Sequence, residues 1–495
     1  MTSDNKPLAK DLSHLLSTEA KSRKESNLKA AFVYKADPSI AFLGGGLPLP
    51  SFFPFDNVTV DTPKPPFKNT IIADVNSLKE DELTKVHVPK DPSRAGKTDL
   101  PLAQTLQYGL SGGAQSLIDF IKEHTTMIHN IPYKNWDICA TTGNTNAWDS
   151  VLRTFTNPGD SILCEEFSFS SAIECAHGQQ IKVIPAKVDL EGLLPDALDE
   201  QLNNWVGAKP KLLYTIPTGQ NPTGGNMPAD RREAVYKVCQ KHDILIIEDE
   251  PYYFLQMDEF KQDQAARNYE QLEDHDTFLK SLVASYLNFD TDGRVLRLDS
   301  YSKVLAPGTR FGWIVAQDTF IERFLRLHEV SIQFPCGFTQ SILYGMLSRW
   351  GLTGYLDWLI NLKKEYSIKR DGAMDAMEKY MPKEIAEWIA PTAGMFFWFQ
   401  IDGSKHPEFA SKFNSDPAKL ELYLYEQGVK NKALLIPGQW FRSEDVTEPP
   451  QKPLPVTEAE KSLLFFRGTY AAVPTETVDD GVKRFAEVVK REFQL

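Results

Sequence analysis

A chain of 495 residues with 42% hydrophobic and 11% aromatic side chains can build a large core, which excludes a mostly disordered protein. Its 67 acidic against 54 basic side chains leave a net charge of −13, which repels nucleic-acid phosphates and anionic membranes, so neither is expected as a partner. The five cysteines (139, 164, 175, 239 and 336) are scattered without a CxxC pair, which suits a reducing compartment and offers neither a disulfide scaffold nor a metal centre.

Residues 1–40 are polar and mixed and read as an arm. Asp4 and Asp11 interrupt a stretch that has no apolar signal core, and no apolar run approaches bilayer length, so a cytoplasmic protein is expected. "IAFLGGGLPLPSFFPF" (40–55) reads as a strand running into glycines and prolines. "LAQTLQYGLSGGAQSLIDFIKEHTTMI" (102–128) ends in an amphipathic helix. "WDICATTGNTNAWDSVLRTF" (136–155) reads as strand, glycine turn and helix, and "DSILCEEFSFSSAIECA" (160–176) repeats that plan. Buried strands follow in "PKLLYTIP", "DILIIEDE", "RVLRLDS" and "FGWIVA". Strands alternating with helices predict an α/β fold with a mostly parallel sheet covered on both faces. From about residue 345 long helices take over, then "AGMFFWFQI" (393–401) and "LLFFRGTY" (463–470), which suggest a smaller α+β unit. The expected division is an arm at 1–40, a large domain at 41–345 and a small domain at 346–495. Two polar excursions are expected, at 256–292 and in the acidic, proline-rich 442–460.

In parallel sheets ligands sit beyond the carboxyl ends of the strands, and the polar clusters of this chain lie there. Gly143-Asn144-Thr145 opens a helix whose free N–H groups can hold an anion. Phe169 stands in a short polar turn, Asn221 in "GQNPTGG", and Asp249 and Tyr252 after "DILII". "DSYSKVLAPGTR" carries Ser300, Ser302, Lys303 and Arg310. Singly, each has a plain reading: Lys303 as a solvated surface group, Asp249 as a helix cap, Phe169 as core, Gly44-Gly45-Gly46 as a tight turn. Together they suit an aromatic, phosphorylated, basic heterocycle carrying an aldehyde. Lys303 can form a Schiff base with the aldehyde. Asp249 can keep a ring nitrogen protonated. Asn221 and Tyr252 can bond a phenolic oxygen, and Phe169 can stack on the ring. The serines, Arg310 and the helix start can hold the phosphate.

"GQNPTG", "EDEPYYFL" and "SYSKVLAPGTRFGW", in that order, resemble the fold-type I pyridoxal-phosphate aminotransferases. "FLGGGLPLPSFFPF", "LQYGLSGGAQSLIDFI", "GNTNAW" and "AGMFFWF" are similar to the branch of kynurenine/2-aminoadipate and fungal aromatic aminotransferases, nearest the fungal aromatic aminotransferase I type. The resemblance runs over nearly the whole chain. It implies pyridoxal 5′-phosphate as cofactor, Lys303 as the Schiff-base lysine, and Asp249 as partner of the pyridine nitrogen. It further implies Asn221 and Tyr252 on the phenolic oxygen and Phe169 as the stacking ring. Ser300, Ser302, Arg310, Asn144 and Thr145 then form the phosphate cup. Tyr108 matches a tyrosine that reaches the phosphate of the neighbouring subunit, implying a homodimer. On the substrate side it implies Arg467 on the α-carboxylate, with Gly45, Asn221 and Lys29 nearby. Lys29 stands where aminoadipate-specific relatives often carry Arg, and a lysine lacks the bidentate fork.

The expected activity is ping-pong transfer of an amino group from Phe, Tyr or Trp to a 2-oxo acid such as 2-oxoglutarate, in aromatic amino acid metabolism. The alternative is 2-aminoadipate, in the lysine pathway, or kynurenine as the main donor. A decarboxylase on the same scaffold is disfavoured because Arg467 would hold the carboxylate in place. A DNA-binding regulator is disfavoured because only about forty residues precede "FLGGGLP" and no basic module is present.

Overall fold

Seven runs of aliphatic and aromatic residues, buried along nearly their whole length, form the central sheet. They are β1 (Trp136–Thr141), β2 (Ser161–Glu165), β3 (Lys182–Ala186), β4 (Leu212–Thr215), β5 (Leu245–Asp249), β6 (Val295–Ser300) and β7 (Gly312–Gln317). This computed structural model describes residues 5–31, 34, 37, 39–67, 78–269, 272–443, 457 and 460–495, with backbone alone at 28 and 29. The strand order is β1-β7-β6-β5-β4-β2-β3. Strands β6, β5, β4, β2 and β3 pair in parallel, whereas β7 is antiparallel to both β6 and β1. The exception has a local cause. Between β6 and β7 the chain forms only a turn and one short 3-10 segment, too little for the crossover that a parallel return needs.

The helices include α1 (Gln115–Ile128), α2 (Asn144–Phe155), α3 (Ser170–Gly178), α4 (Gly337–Tyr380) and α5 (Thr475–Phe493). Gly351, with φ 65° and ψ 178°, breaks the helical geometry inside α4. One continuous core takes in buried residues from Leu12 to Leu362. A second gathers Met257 and residues from Ala373 to Phe493. It is built on a four-stranded sheet of β8 (Ala386–Trp388), β9 (Phe396–Asp402), β10 (Ile436–Pro437) and β11 (Leu463–Thr469), in the order β8-β9-β11-β10. Helix α4 supplies side chains to both cores.

One expectation needs correction. Residues 40–55 form no strand: they run as bends and a short 3-10 turn, with Leu43, Leu49 and Phe52 strongly exposed. Without a partner strand their β-branched and aromatic content has no ladder to join. The N-terminal segment packs on the rest of the chain. Leu12, Leu15, Leu16 and Ala20 are buried in the first core, and Ser17 caps the end of α2 through bonds to the Thr154 carbonyl (2.8 Å) and the Arg153 carbonyl (2.7 Å). Of the stretch 442–460, only Arg442, Ser443, Thr457 and Glu460 lie among the described residues. The excursion 256–292 carries the helix His275–Ser281 and buries Phe278, Tyr286 and Leu287. Among the described residues no helix is long and apolar enough to cross a membrane, and none of their side-chain clusters could hold a metal ion.

Candidate active site

The carboxyl ends of β1, β2, β4, β5 and β6 meet the start of α2 around a cavity of 330 Å³. Asn144, Thr145, Phe169, Asn221, Asp249, Tyr252, Ser300, Ser302, Lys303, Arg310 and Arg467 all line it. The structure thus gathers eleven side chains that the sequence spreads over more than three hundred positions. Three expected site residues are not among the lining. Tyr108 lies beyond it and is 54% exposed. Gly45 sits in a bend of the segment 40–55. The side chain of Lys29 lies outside the described residues. A larger cavity of 630 Å³ lies between the 256–292 excursion and α4, and three of the cations lining it, Arg267, Lys363 and Arg370, are in ion pairs with Asp375, Glu273 and Asp371.

Asp249 closes β5 and is 6% exposed. Asn144 donates from Nδ2 to its Oδ1 at 2.6 Å, and Tyr214 donates its hydroxyl to Oδ2 at 2.5 Å. Burial pushes the carboxyl up to about 6, against the pull of these two donors. Among the described residues no ion pair reaches it. A buried carboxylate with two donors and no bonded cation is an incomplete arrangement, and a protonated ring nitrogen would complete it. The Oδ1 of Asn144 is likewise buried without a partner.

Lys303, Arg310 and Arg467 reach the cavity with no ion-pair partner among the described residues. Burial, then the neighbouring Arg310, hold the Lys303 ammonium below the usual lysine range, while Asp249 pulls the other way. Arg310 has φ 46° and packs on the turn that opens α2. A Cβ on Gly143, where φ is 99°, would stand 2.8 Å from its guanidinium. Glycine is therefore required there if helix start and arginine are to share one anion. Ser300 and Ser302 lie beside them, with the Ser302 N–H on the Ser300 hydroxyl at 3.3 Å. This cup fits a phosphate, and together with Asp249 and Lys303 it fits the cofactor expected from the sequence.

Arg467 stands on β11 opposite Trp398 and Ile436. It donates to Oδ1 of Asn221 at 2.8 Å, and its guanidinium lies 4.4 Å from the Phe396 ring centre. Asn221 precedes a cis proline in the loop 217–225. That loop packs so closely on the segment just before β9 that a Cβ on Gly219 would fall 2.5 Å from the Gly394 backbone. Tyr252 meets Phe396 edge-on at 5.9 Å, and burial pushes its phenol well up.

Behind β5 a second set of charges is fully buried. Glu248 and Glu250 point away from the cavity toward Arg232 and Arg297. Arg232 also donates to the Pro217 carbonyl (3.0 Å), the Thr218 hydroxyl (2.9 Å) and the Met227 carbonyl (2.9 Å), and so braces the loop that carries Asn221.

Tyr214, Trp148 and Phe396 also line the cavity, and sequence reasoning gave them no role. A tyrosine in the otherwise apolar run "LLYT" was the one signal, since a buried phenol seeks a polar partner.

A family model described as "Aminotransferase class I and II" matches residues 93–447. The chain is 42% identical to an aromatic amino acid aminotransferase of Schizosaccharomyces pombe, over 98% of this chain and 99% of that one. It is 29% identical to the mitochondrial kynurenine/alpha-aminoadipate aminotransferase of Bos taurus, over 95% and 97% of the two chains. The crystal structure of the aminotransferase Aro8 from Candida albicans superposes with a TM-score of 0.94 at 50% identity, over 99% of this chain and all of that one.

Proposed function

The chain belongs to the class I and II aminotransferase family, and from that premise we propose that it moves the amino group of an aromatic amino acid to a 2-oxo acid such as 2-oxoglutarate, with pyridoxal 5′-phosphate as cofactor. The observation that carries the reading is the cavity itself. Among the described residues it joins one carboxylate without a bonded cation to three cations without a bonded anion. The relatives named for aromatic amino acids support the donor class.

Once bound, the cofactor supplies an electron-withdrawing ring that draws electrons from the substrate's α-carbon. The residues do the rest. Arg310, Ser300, Ser302 and the start of α2 would hold the phosphate. Asp249 would keep a proton on the ring nitrogen, and Phe169 would lie against the ring. Asn221 and Tyr252 would serve the phenolic oxygen. Arg467 holds the α-carboxylate. The Nζ of Lys303, its charge disfavoured by burial and by Arg310, removes the donor's α-proton. In the second half-reaction it returns a proton to the α-carbon of the new amino acid. Two half-reactions at one site give ping-pong kinetics.

The proposal extends to a homodimer in which Tyr108 serves the partner's site. The exposed Leu43, Leu49, Phe52 and Tyr108 support it, since apolar groups of that size gain from cover. A cytoplasmic location is part of the same reading, supported by five free cysteines. The division into arm, large and small domain is proposed too, with the two cores along α4 in its favour.

The test is a spectral titration of the holoenzyme. Phenylalanine should remove the visible absorbance of the bound cofactor, and 2-oxoglutarate should restore it. Absorbance that persists with phenylalanine but falls with 2-aminoadipate would overturn the aromatic assignment. Substantial turnover by Lys303→Ala would overturn the role of that lysine.

A further inference from the structure

The guanidinium carbon of Arg467 lies over two rings, 4.4 Å from the centre of Phe396 and 4.6 Å from that of Phe441. Phe396 lines the cavity, whereas Phe441 does not, and it is 4% exposed. Phe441 ends the short 3-10 segment Gly438–Phe441 and is anchored from both flanks. Its carbonyl accepts the Ser168 N–H at 2.8 Å. Two residues on, Ser443 donates its N–H to the Glu166 carbonyl at 3.0 Å and its hydroxyl to the Glu165 carbonyl at 2.9 Å. The ring packs with Phe167 and Trp398. Among the described residues the guanidinium makes one side-chain hydrogen bond, from Nη1 to Asn221, and its other close neighbours are the Phe396 and Phe441 rings. A planar fork recognises a carboxylate only when its plane is correctly set, and stacking on an aromatic face sets it.

We propose that Phe441 is a positioning residue for substrate binding: it orients Arg467 toward the α-carboxylate of donor and acceptor. The same segment is hydrogen-bonded to the turn just before Phe169, so the carboxylate arginine and the stacking ring share one support. This rests on the reading of Arg467 given above.

Holoenzyme variants test it, with kcat and KM for phenylalanine and the inhibition constant of 3-phenylpropanoate, a carboxylate that lacks the amino group. Phe441→Leu keeps bulk but loses the aromatic face. It should raise both the KM and the inhibition constant about tenfold, with kcat within about threefold of wild type. The cofactor's absorbance should be unchanged, and Phe441→Tyr should restore both constants. If the leucine variant does not fold, Phe441→Met is read by the same criteria. Unchanged constants in a folded variant, or a fall in kcat alone, would overturn the proposal. Arg467→Lys separates the two levels. If it leaves KM unchanged, the reading of Arg467 fails; if it raises KM while Phe441→Leu does not, only the proposal for Phe441 fails.

Discussion

Asn144 bonds Asp249 at 2.6 Å from the same Nδ2 that reaches the Leu298 carbonyl at 3.0 Å. Leu298 is also the residue that faces Asp249 across the β5–β6 ladder. One amide therefore pins the buried carboxylate to its neighbouring strand. Hydrogen bonds to charged groups contribute about 1.5–3 kcal/mol, so Asn144→Ala should lower kcat/KM by about 10- to 100-fold. Steady-state kinetics with saturating cofactor check this.

Tyr214→Phe removes the other donor to Asp249 and leaves the fold's apolar packing in place. That hydrogen bond pulls the carboxyl down against burial. Its loss should move the acidic limb of the kcat/KM profile to higher pH. A profile that does not move would show that Tyr214 serves packing alone.

In the cofactor-free protein Asp249 is raised from 3.8 to about 6. A carboxyl raised on folding stays protonated in the native chain while the unfolded chain has already ionised. Its contribution to stability is therefore favourable at low pH and is lost as pH rises from about 4 to 6. Asp249→Asn, which cannot ionise, should gain on the wild-type apoprotein across that range, by on the order of 1–3 kcal/mol at pH 7. Denaturant melts of both apoproteins at pH 4.5 and 7 measure the difference, and cofactor binding should reverse it.

Arg232 is fully buried between Glu248 and Glu250 and holds the 217–227 loop by three further bonds. Removing one partner of a buried charge network costs about 3–5 kcal/mol. Arg232→Met should therefore lower the thermal midpoint sharply and weaken substrate binding through Asn221. Calorimetry together with a donor KM reads both effects.

Phe52 is 76% exposed in a segment that has no secondary-structure partner. In the proposed homodimer it is covered. Phe52→Lys should shift sedimentation equilibrium toward the monomer and lower activity, with the far-ultraviolet spectrum unchanged.

The sheet was legible because its strands are short apolar runs ending in polar clusters, and that punctuation also exposed the site. Asp249 ends such a run, Arg467 follows the apolar stretch that opens β11, and Lys303 lies three residues past the end of β6. The strand expected at 40–55 failed for the converse reason. Composition favoured extension, but a strand needs a partner, and pairing is not written in local sequence. The burial of Leu12, Leu15 and Leu16 was hidden in the same way: their leucine spacing is short, and the core they join is built from residues far along the chain. Tyr214 and Phe441 escaped notice because their importance lies in what they touch. Neither the carboxylate below one nor the guanidinium beside the other can be read from neighbours in sequence.

Glu248, Asp249 and Glu250 are three acids in a row. Only the last residue of a strand and its alternation of faces distinguish their work. The middle one looks into the cavity; the outer two look into a lattice of arginines. A one-residue slip of β5 would turn the strand over, presenting a longer acid to the cofactor and sending the aspartate among the arginines. The chemistry of this position is thus a matter of parity. The β5–β6 ladder, which counts residues in pairs, acts as the proofreader that keeps the correct acid in view.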